Sequence, residues 1–140
     1  MTAQEVFDKV VEHLARQKIP ATNGGDGCML RTGGGLMCAV GCLIPEEDYR
    51  PEMEDHSAVQ VVDARDNIFS IWLKHNYGDH INLLDKLQSI HDHAVRSEYG
   101  ISEWPIRLAT SAFSENLNFD TEDFKIKLAD PDYCYNRILI

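Results

Sequence analysis

The stretch from Cys28 to Asp55 reads CMLRTGGGLMCAVGCLIPEEDYRPEMED. Two apolar runs, at residues 28–32 and 36–44, flank the three consecutive glycines Gly33–Gly35. Apolar runs on both sides of a glycine-rich corner are typical of a β-hairpin, because glycine tolerates the backbone angles of a tight turn. We therefore predict an antiparallel hairpin over residues 28–44, with Cys28 roughly opposite Cys38.

Helical patterns surround this stretch. Thr2 and Glu5 have the spacing of a capping box, and apolar residues then recur on one helical face until Pro20 ends the helix. A second stripe passes through Leu84, Leu87 and His91, and a third apolar pattern covers residues 104–117. Residues 57–73 leave three alternatives open, namely one long helix, two short helices broken near Asp66, or a strand at Val59–Val62.

Together these patterns predict an α+β protein. The prediction is a mainly helical single globular domain over residues 1–140, with a small antiparallel hairpin at 28–44. Residues 119–140 are predicted to be a C-terminal extension particular to this protein, with a turn of helix at 120–128 and strand-like composition at 133–140.

Composition limits the classes of function. The 140 residues carry a formal net charge of −10, and 44% of them are hydrophobic. This is the balance of a globular chain that buries a core. Binding to a phosphate backbone needs a positive surface, so the charge argues against a nucleic-acid partner. No basic start leads into an apolar run and no stretch has the length of a membrane span. We therefore expect a cytoplasmic protein without a membrane partner.

The cysteines and histidines are the candidates for chemistry. Cys28, Cys38 and Cys42 with a histidine would suit zinc, but neither a Cys-x2-Cys knuckle nor a paired histidine spacing is present. Buried thiols that act as small hydrophobic groups are the favoured interpretation, so no metal and no cofactor is predicted. A catalytic thiolate needs a nearby base, and Cys38 or Cys42 with His91 is the pairing to test.

The dipeptide His91-Asp92 resembles that of the metal-dependent HD phosphohydrolases. Those enzymes need further histidine and aspartate ligands on separate helices. His91 and His93 point about 200° apart on a helix and cannot share one metal. Because His91 lies on the apolar stripe, we predict a core histidine that is hydrogen-bonded to the backbone.

An acidic segment follows the second apolar run. It contributes the residues that we predict to bind a partner, which are Glu46, Glu47, Asp48, Tyr49, Glu52 and Glu54. The segment lacks the ligand spacing of a twelve-residue calcium loop. A solvated acidic face is the favoured interpretation of such a cluster, and the alternative is a surface suited to a basic partner.

The run from Cys38 to Tyr49, followed by Pro51-Glu-Met-Glu, resembles a segment of a family of small uncharacterised proteins from tailed phages, prophages and bacteria. Further similar elements lie at Cys28–Arg31, Leu84–Asp92 and Trp104–Leu108, so the resemblance covers residues 3–117. It implies a phage or prophage genome context, and the host cytoplasm as the place of action. The resemblance implies no catalytic activity.

Three hypotheses for the function follow. The leading one is a non-catalytic binding protein of phage type that occupies or inhibits a host macromolecule, such as a host protein of defence or regulation. The second is a small Cys/His-dependent hydrolase or metal-dependent enzyme that uses Cys38, Cys42 and His91. The third is a protein that sequesters a small ligand, with a nucleotide at the Gly33–Gly35 corner.

Overall fold

The computed structural model of the chain describes residues 1–22, 24, 27–54 and 67–135. Within these ranges the fold is all-α. Its five α-helices are α1 (Ala3–Gln17), α2 (Ile68–Tyr77), α3 (Ile81–Arg96), α4 (Trp104–Ser114) and α5 (Thr121–Ala129). Short 3-10 helices occur at Gly41–Leu43, Pro51–Glu54, Gly78–His80 and Gly100–Glu103.

Helix α1 begins where its sequence predicts. The Glu5 amide donates to Thr2 Oγ1 at 3.1 Å, and the Thr2 amide donates to Glu5 Oε1 at 2.9 Å. This reciprocal pair is a capping box, which satisfies two of the free amides at the helix start. The predicted N-terminal helix is confirmed, and Phe7 and Leu14 on its apolar face are fully buried.

Helix α3 lies at the centre of the fold and packs against α1, α2 and α4. Leu84, Leu87 and His91 are completely buried on its inner face, as the apolar stripe predicts. Trp104, the first residue of α4, is also buried, and its Nε1–H donates to the Ile90 carbonyl at 3.1 Å. These contacts place the polar side chains near the C-terminal end of α3 inside the core.

The predicted α+β class and the hairpin over residues 28–44 are wrong. In the described part of the chain, antiparallel pairing is limited to the isolated bridges Thr22–Cys28 and Arg31–Met37. A tight turn does form, because the Gly35 amide donates to the Thr32 carbonyl at 3.1 Å. The second apolar run then bends into the 3-10 helix Gly41–Leu43 and does not continue as a strand.

Side chains take the place of the missing ladder of backbone hydrogen bonds. Gln17 of α1 accepts from the Met37 amide at 2.9 Å and donates to the Met37 carbonyl at 2.8 Å. Glu54 accepts from the amides of Leu30 and Arg31 at 2.9 and 2.8 Å. Buried backbone groups need partners, and here helices and a nearby carboxylate supply them without a second strand.

The C-terminal part joins the same core. The Phe7 and Phe119 rings meet edge to face at 5.7 Å, and Phe119 packs on Phe124 of α5 at the same distance. The turn of helix expected at 120–128 is thus the full helix α5, and Phe124 on this helix is buried. Val59–Val62 and residues 136–140 lie outside the described residues, so the alternatives raised for them remain predictions.

Candidate functional site

Three side chains that can bind metals or carry protons meet in the core. His91 and Asp92 come from α3, and Cys28 comes from the bridge with Thr22. One ligand atom of each residue lies within 4.8 Å of the others, and all three residues are buried. We call these residues the Cys28–His91–Asp92 cluster.

The thiol that the structure brings to His91 is that of Cys28, whereas the sequence paired His91 with Cys38 or Cys42. Cys38 lies in the same core, but its Sγ accepts from the Gly41 amide at 3.2 Å. The half-buried Cys42 donates to the Ala39 carbonyl at 3.1 Å. The sequence named Cys28 as a candidate zinc ligand but did not pair it with His91, because its approach to α3 depends on how the chain after Pro20 docks, and no local pattern reports that docking.

The hydrogen bonds around His91 assign its tautomer. The Ala21 amide donates to Nε2 at 3.0 Å, so Nε2 carries no proton. The proton is therefore on Nδ1, which donates to Asp92 Oδ1 at 2.9 Å. The same oxygen accepts from Gln88 Nε2 at 2.8 Å, and Gln88 Oε1 accepts from the Val40 amide at 3.0 Å. The prediction that His91 is a core histidine bonded to backbone is confirmed.

The electrostatics of the cluster disfavour a thiolate. Burial raises the pKa of the Cys28 thiol well above its ordinary value of 9.0, and the neighbouring Asp92 carboxylate acts in the same direction. Burial also raises the pKa of Cys38 far above that value, and that of Cys42 to about 12. A nucleophilic cysteine needs a lowered pKa and a base with a free lone pair. The lone pair on Nε2 of His91 already accepts the hydrogen bond from the Ala21 amide, so it is not free to act as a base.

The same hydrogen bonds test the fit of a metal ion. A neutral histidine that binds metal through Nδ1 carries its proton on Nε2 and donates it to an acceptor. Here Nε2 faces the Ala21 amide, which is itself a donor. Binding through Nε2 would instead displace that amide and leave it unsatisfied. The cluster therefore fits a closed set of structural hydrogen bonds better than a zinc site.

We expect purified protein to carry no stoichiometric zinc, because the Ala21 amide opposes metal binding at either nitrogen of His91. Elemental analysis of protein purified without chelators measures the metal content. His91→Gln and Cys28→Ser serve as matched variants. One equivalent of zinc in the wild type that is lost in both folded variants would show that the cluster is a metal site.

The glycine corner offers no cradle for phosphate. The Gly35 amide is bonded to the Thr32 carbonyl, and the Leu36 amide donates to Thr32 Oγ1 at 3.0 Å. A phosphate loop needs free amides that lead directly into a helix N-terminus. Here two amides of the corner are already taken, and residues 36–40 separate it from the nearest 3-10 helix.

The predicted partner-binding residues divide into exposed and internal groups. Glu46, Glu47 and Glu52 are exposed. Tyr49 donates to Glu54 Oε2 at 2.8 Å, and burial beside this carboxylate raises the pKa of Tyr49 to about 12. Because Glu54 also holds the Leu30 and Arg31 amides, Tyr49 and Glu54 stabilise the fold from inside.

An open groove lies beside Asp48 of the acidic segment, and Arg50 also lines it. It has a volume of about 580 Å³ and runs between the 3-10 helix Pro51–Glu54 and α2. Ile68 and Ile71 of α2 are 47% and 56% exposed, and Trp72 is half-buried next to them. Trp72 Nε1 donates to Asp48 Oδ2 at 3.0 Å, which joins the acidic segment to the apolar wall. The sequence did not predict the groove because it left open how residues 57–73 fold, so no exposed face of α2 could be identified.

A second open cavity, of about 540 Å³, lies between α1 and α5. Several carboxylates line it, but they already have partners. Asp123 pairs with Lys127 at 2.9 Å, and Asp120 accepts from the Asp123 amide at 3.0 Å. Glu12 likewise pairs with Arg16 at 3.1 Å. These bonds account for the polar groups without a ligand.

Comparison with known proteins adds no relative. The chain matches no protein-family model, no curated protein and no solved structure. None of the helices in the described ranges has the length and apolar character needed to cross a membrane.

Proposed function

We propose that the chain is a non-catalytic binding protein whose groove receives an apolar side chain from a basic segment of a host protein. The observation that carries this proposal is the exposed pair Ile68 and Ile71 beside Trp72, in a groove whose charged lining comprises Asp48 of the acidic segment and Arg50. The resemblance to small phage proteins supports a host target, and with it the host cytoplasm as the place of action.

The physical roles of the two parts differ. Burying one aliphatic side chain of the partner against Ile71 and Trp72 contributes about 1.5–3 kcal/mol. Glu46, Glu47 and Glu52 are exposed, so their attraction to a basic segment acts mainly on the association rate. The groove therefore sets mainly the dissociation rate of the partner, and the acidic segment sets mainly its association rate.

The hydrolase alternative has no comparable support. It needs an accessible thiolate, whereas burial raises the pKa of Cys28, Cys38 and Cys42. The proposal requires that a folded Cys38→Ser variant keep its binding activity. Loss of all activity in that variant would favour the enzyme.

We expect a variant with Glu46→Lys, Glu47→Lys and Glu52→Lys to associate at least about tenfold more slowly with the partner at low salt. The difference should shrink as salt rises, because the Debye length falls to about 8 Å at physiological ionic strength. Asp48 and Glu54 stay unchanged, since both make internal hydrogen bonds. Association rates with a partner captured from bacterial lysate provide the measurement.

The control reverses the same number of charges elsewhere, at the exposed residues Asp79, Glu98 and Asp132. It changes the net charge equally, so an equal loss of rate in both variants would remove the acidic segment from the interface. Ile71→Glu tests the groove itself and should raise the dissociation rate. Unchanged dissociation from folded Ile71→Glu would place the binding surface outside the groove.

A further inference from the structure

The two tryptophans of the chain are held in different ways. Trp104 is 1% exposed, and its Nε1–H donates to the Ile90 carbonyl inside the core. Trp72 is half-buried and lines the groove. Its Nε1–H donates to Asp48 Oδ2 at 3.0 Å, across 24 positions of sequence. The orientation of an aromatic wall of the groove therefore involves a residue outside α2.

Asp48 is itself held in place by the backbone around it. Its amide donates to the Pro45 carbonyl at 3.0 Å, and the Tyr49 amide donates to the same carbonyl at 3.1 Å. The Tyr49 hydroxyl in turn donates to Glu54 Oε2 at 2.8 Å. These bonds fix the position of the Asp48 carboxylate. A fixed acceptor orients an indole well, because indole has a single N–H donor and no acceptor.

Ile68, one turn before Trp72 on α2, stays partly uncovered. The two residues are four positions apart, so they lie on one face of the helix. A long side chain on a helix lies over the preceding turn. Yet Ile68 is 47% exposed, and the Trp72 ring is tilted against Tyr77 with the centroids 5.8 Å apart. An indole released from Asp48 is free to turn over Ile68 and fill this end of the groove.

We propose that Asp48 is the positioning residue of the groove. Its hydrogen bond holds the Trp72 indole as a wall, and this keeps Ile68 and Ile71 accessible to the apolar side chain of the partner. The inference deepens the proposed function and rests on it for the effect on binding. The orientation of Trp72 can be tested in the free protein.

The role of Asp48 differs from that of the exposed carboxylates in the acidic segment. Those act at a distance through charge, whereas Asp48 acts through one oxygen atom that accepts from Trp72. Asparagine offers an acceptor oxygen without the charge, and alanine offers neither. Asp48→Asn and Asp48→Ala therefore separate the hydrogen bond from the charge.

The first measurement is hydrogen exchange of the two indole N–H groups by NMR, which needs no partner. Trp72→Phe assigns the two signals, and the Trp104 signal reports that each variant is folded. The Trp72 indole should exchange at least about tenfold faster in Asp48→Ala, because a hydrogen bond to a charged group stabilises the closed state by more than this factor. Asp48→Asn should recover most of the protection. Unchanged exchange in folded Asp48→Ala overturns the proposal, and so does an equal loss of protection in both variants.

The second measurement is dissociation from the partner captured from bacterial lysate. Asp48→Ala should dissociate at least about tenfold faster than wild type, and Asp48→Asn should resemble wild type. If Asp48→Ala dissociates like wild type while Ile71→Glu dissociates faster, the positioning role is overturned and the groove remains the binding surface. If Ile71→Glu also dissociates like wild type, the proposed function is contradicted, and this inference with it.

Discussion

Replacing Gly41 by alanine should lower the free energy of unfolding by about 3 kcal/mol. A Cβ atom at this position would lie 2.1 Å from the Leu30 carbonyl oxygen and 2.8 Å from its carbon. Both atoms belong to the backbone, so no side chain can rotate to make room. Urea denaturation followed by circular dichroism measures the change.

The control for this experiment is Gly33→Ala. A Cβ at Gly33 meets nothing within 4 Å, and its φ lies outside the left-handed region. Its effect should stay within about 0.5 kcal/mol. Equal stability of Gly41→Ala and Gly33→Ala would contradict the close packing of the 3-10 helix Gly41–Leu43 on Leu30.

The protein should also lose stability steeply above pH 9. Folding raises the pKa of Cys28, Cys38 and Cys42 from an ordinary value of 9.0. Below that pH the thiols are protonated in both states, and the stability is fully present. Above it the unfolded chain releases protons that the folded chain retains, so each thiol lowers the free energy of unfolding by up to about 1.4 kcal/mol per pH unit.

Urea denaturation in the presence of a reductant, at pH 9 and one unit to either side, measures this slope. Tyr49, whose pKa rises from 10.0 to about 12, adds to the slope only at the upper end. A double variant with Cys28→Ala and Cys38→Ala should lose about two-thirds of the thiol contribution, whatever its stability at neutral pH. An identical slope in wild type and double variant would show that buried thiols are not its source.

The helices were predictable because their signals are local. The capping box at Thr2 and the stripe through Leu84 and Leu87 depend on spacings within one helix. The same periodicity does not predict burial at every position. Phe113 fits the apolar pattern of α4, and yet it is 90% exposed. Periodicity identifies the apolar residues of a helix, whereas burial depends on which neighbours cover each face.

The segment between α1 and α2 could not be predicted in the same way. The composition of residues 28–44 favours strands, but the amides of Met37, Val40 and Leu30 find their acceptors in Gln17, Gln88 and Glu54 respectively. The nearest of these partners is 20 positions away. A hairpin and a loop that is held by side chains are both compatible with this apolar pattern. Only the tertiary arrangement shows which of the two structures forms. The meeting of Cys28 with His91 and Asp92 was hidden for the same reason.

The side-chain hydrogen bonds of this segment bear on how the protein opens. The bond from Ala21 to His91 spans 70 positions, and the bond from Val40 to Gln88 spans 48. A loop with its own ladder can detach and re-form alone, whereas this one has two of its acceptors on α3. Detachment would leave buried polar groups of α3 without partners, so loop and helix form one cooperative unit. Amide exchange at Ala21 and Val40 thus reports global unfolding rather than the fraying of a loop.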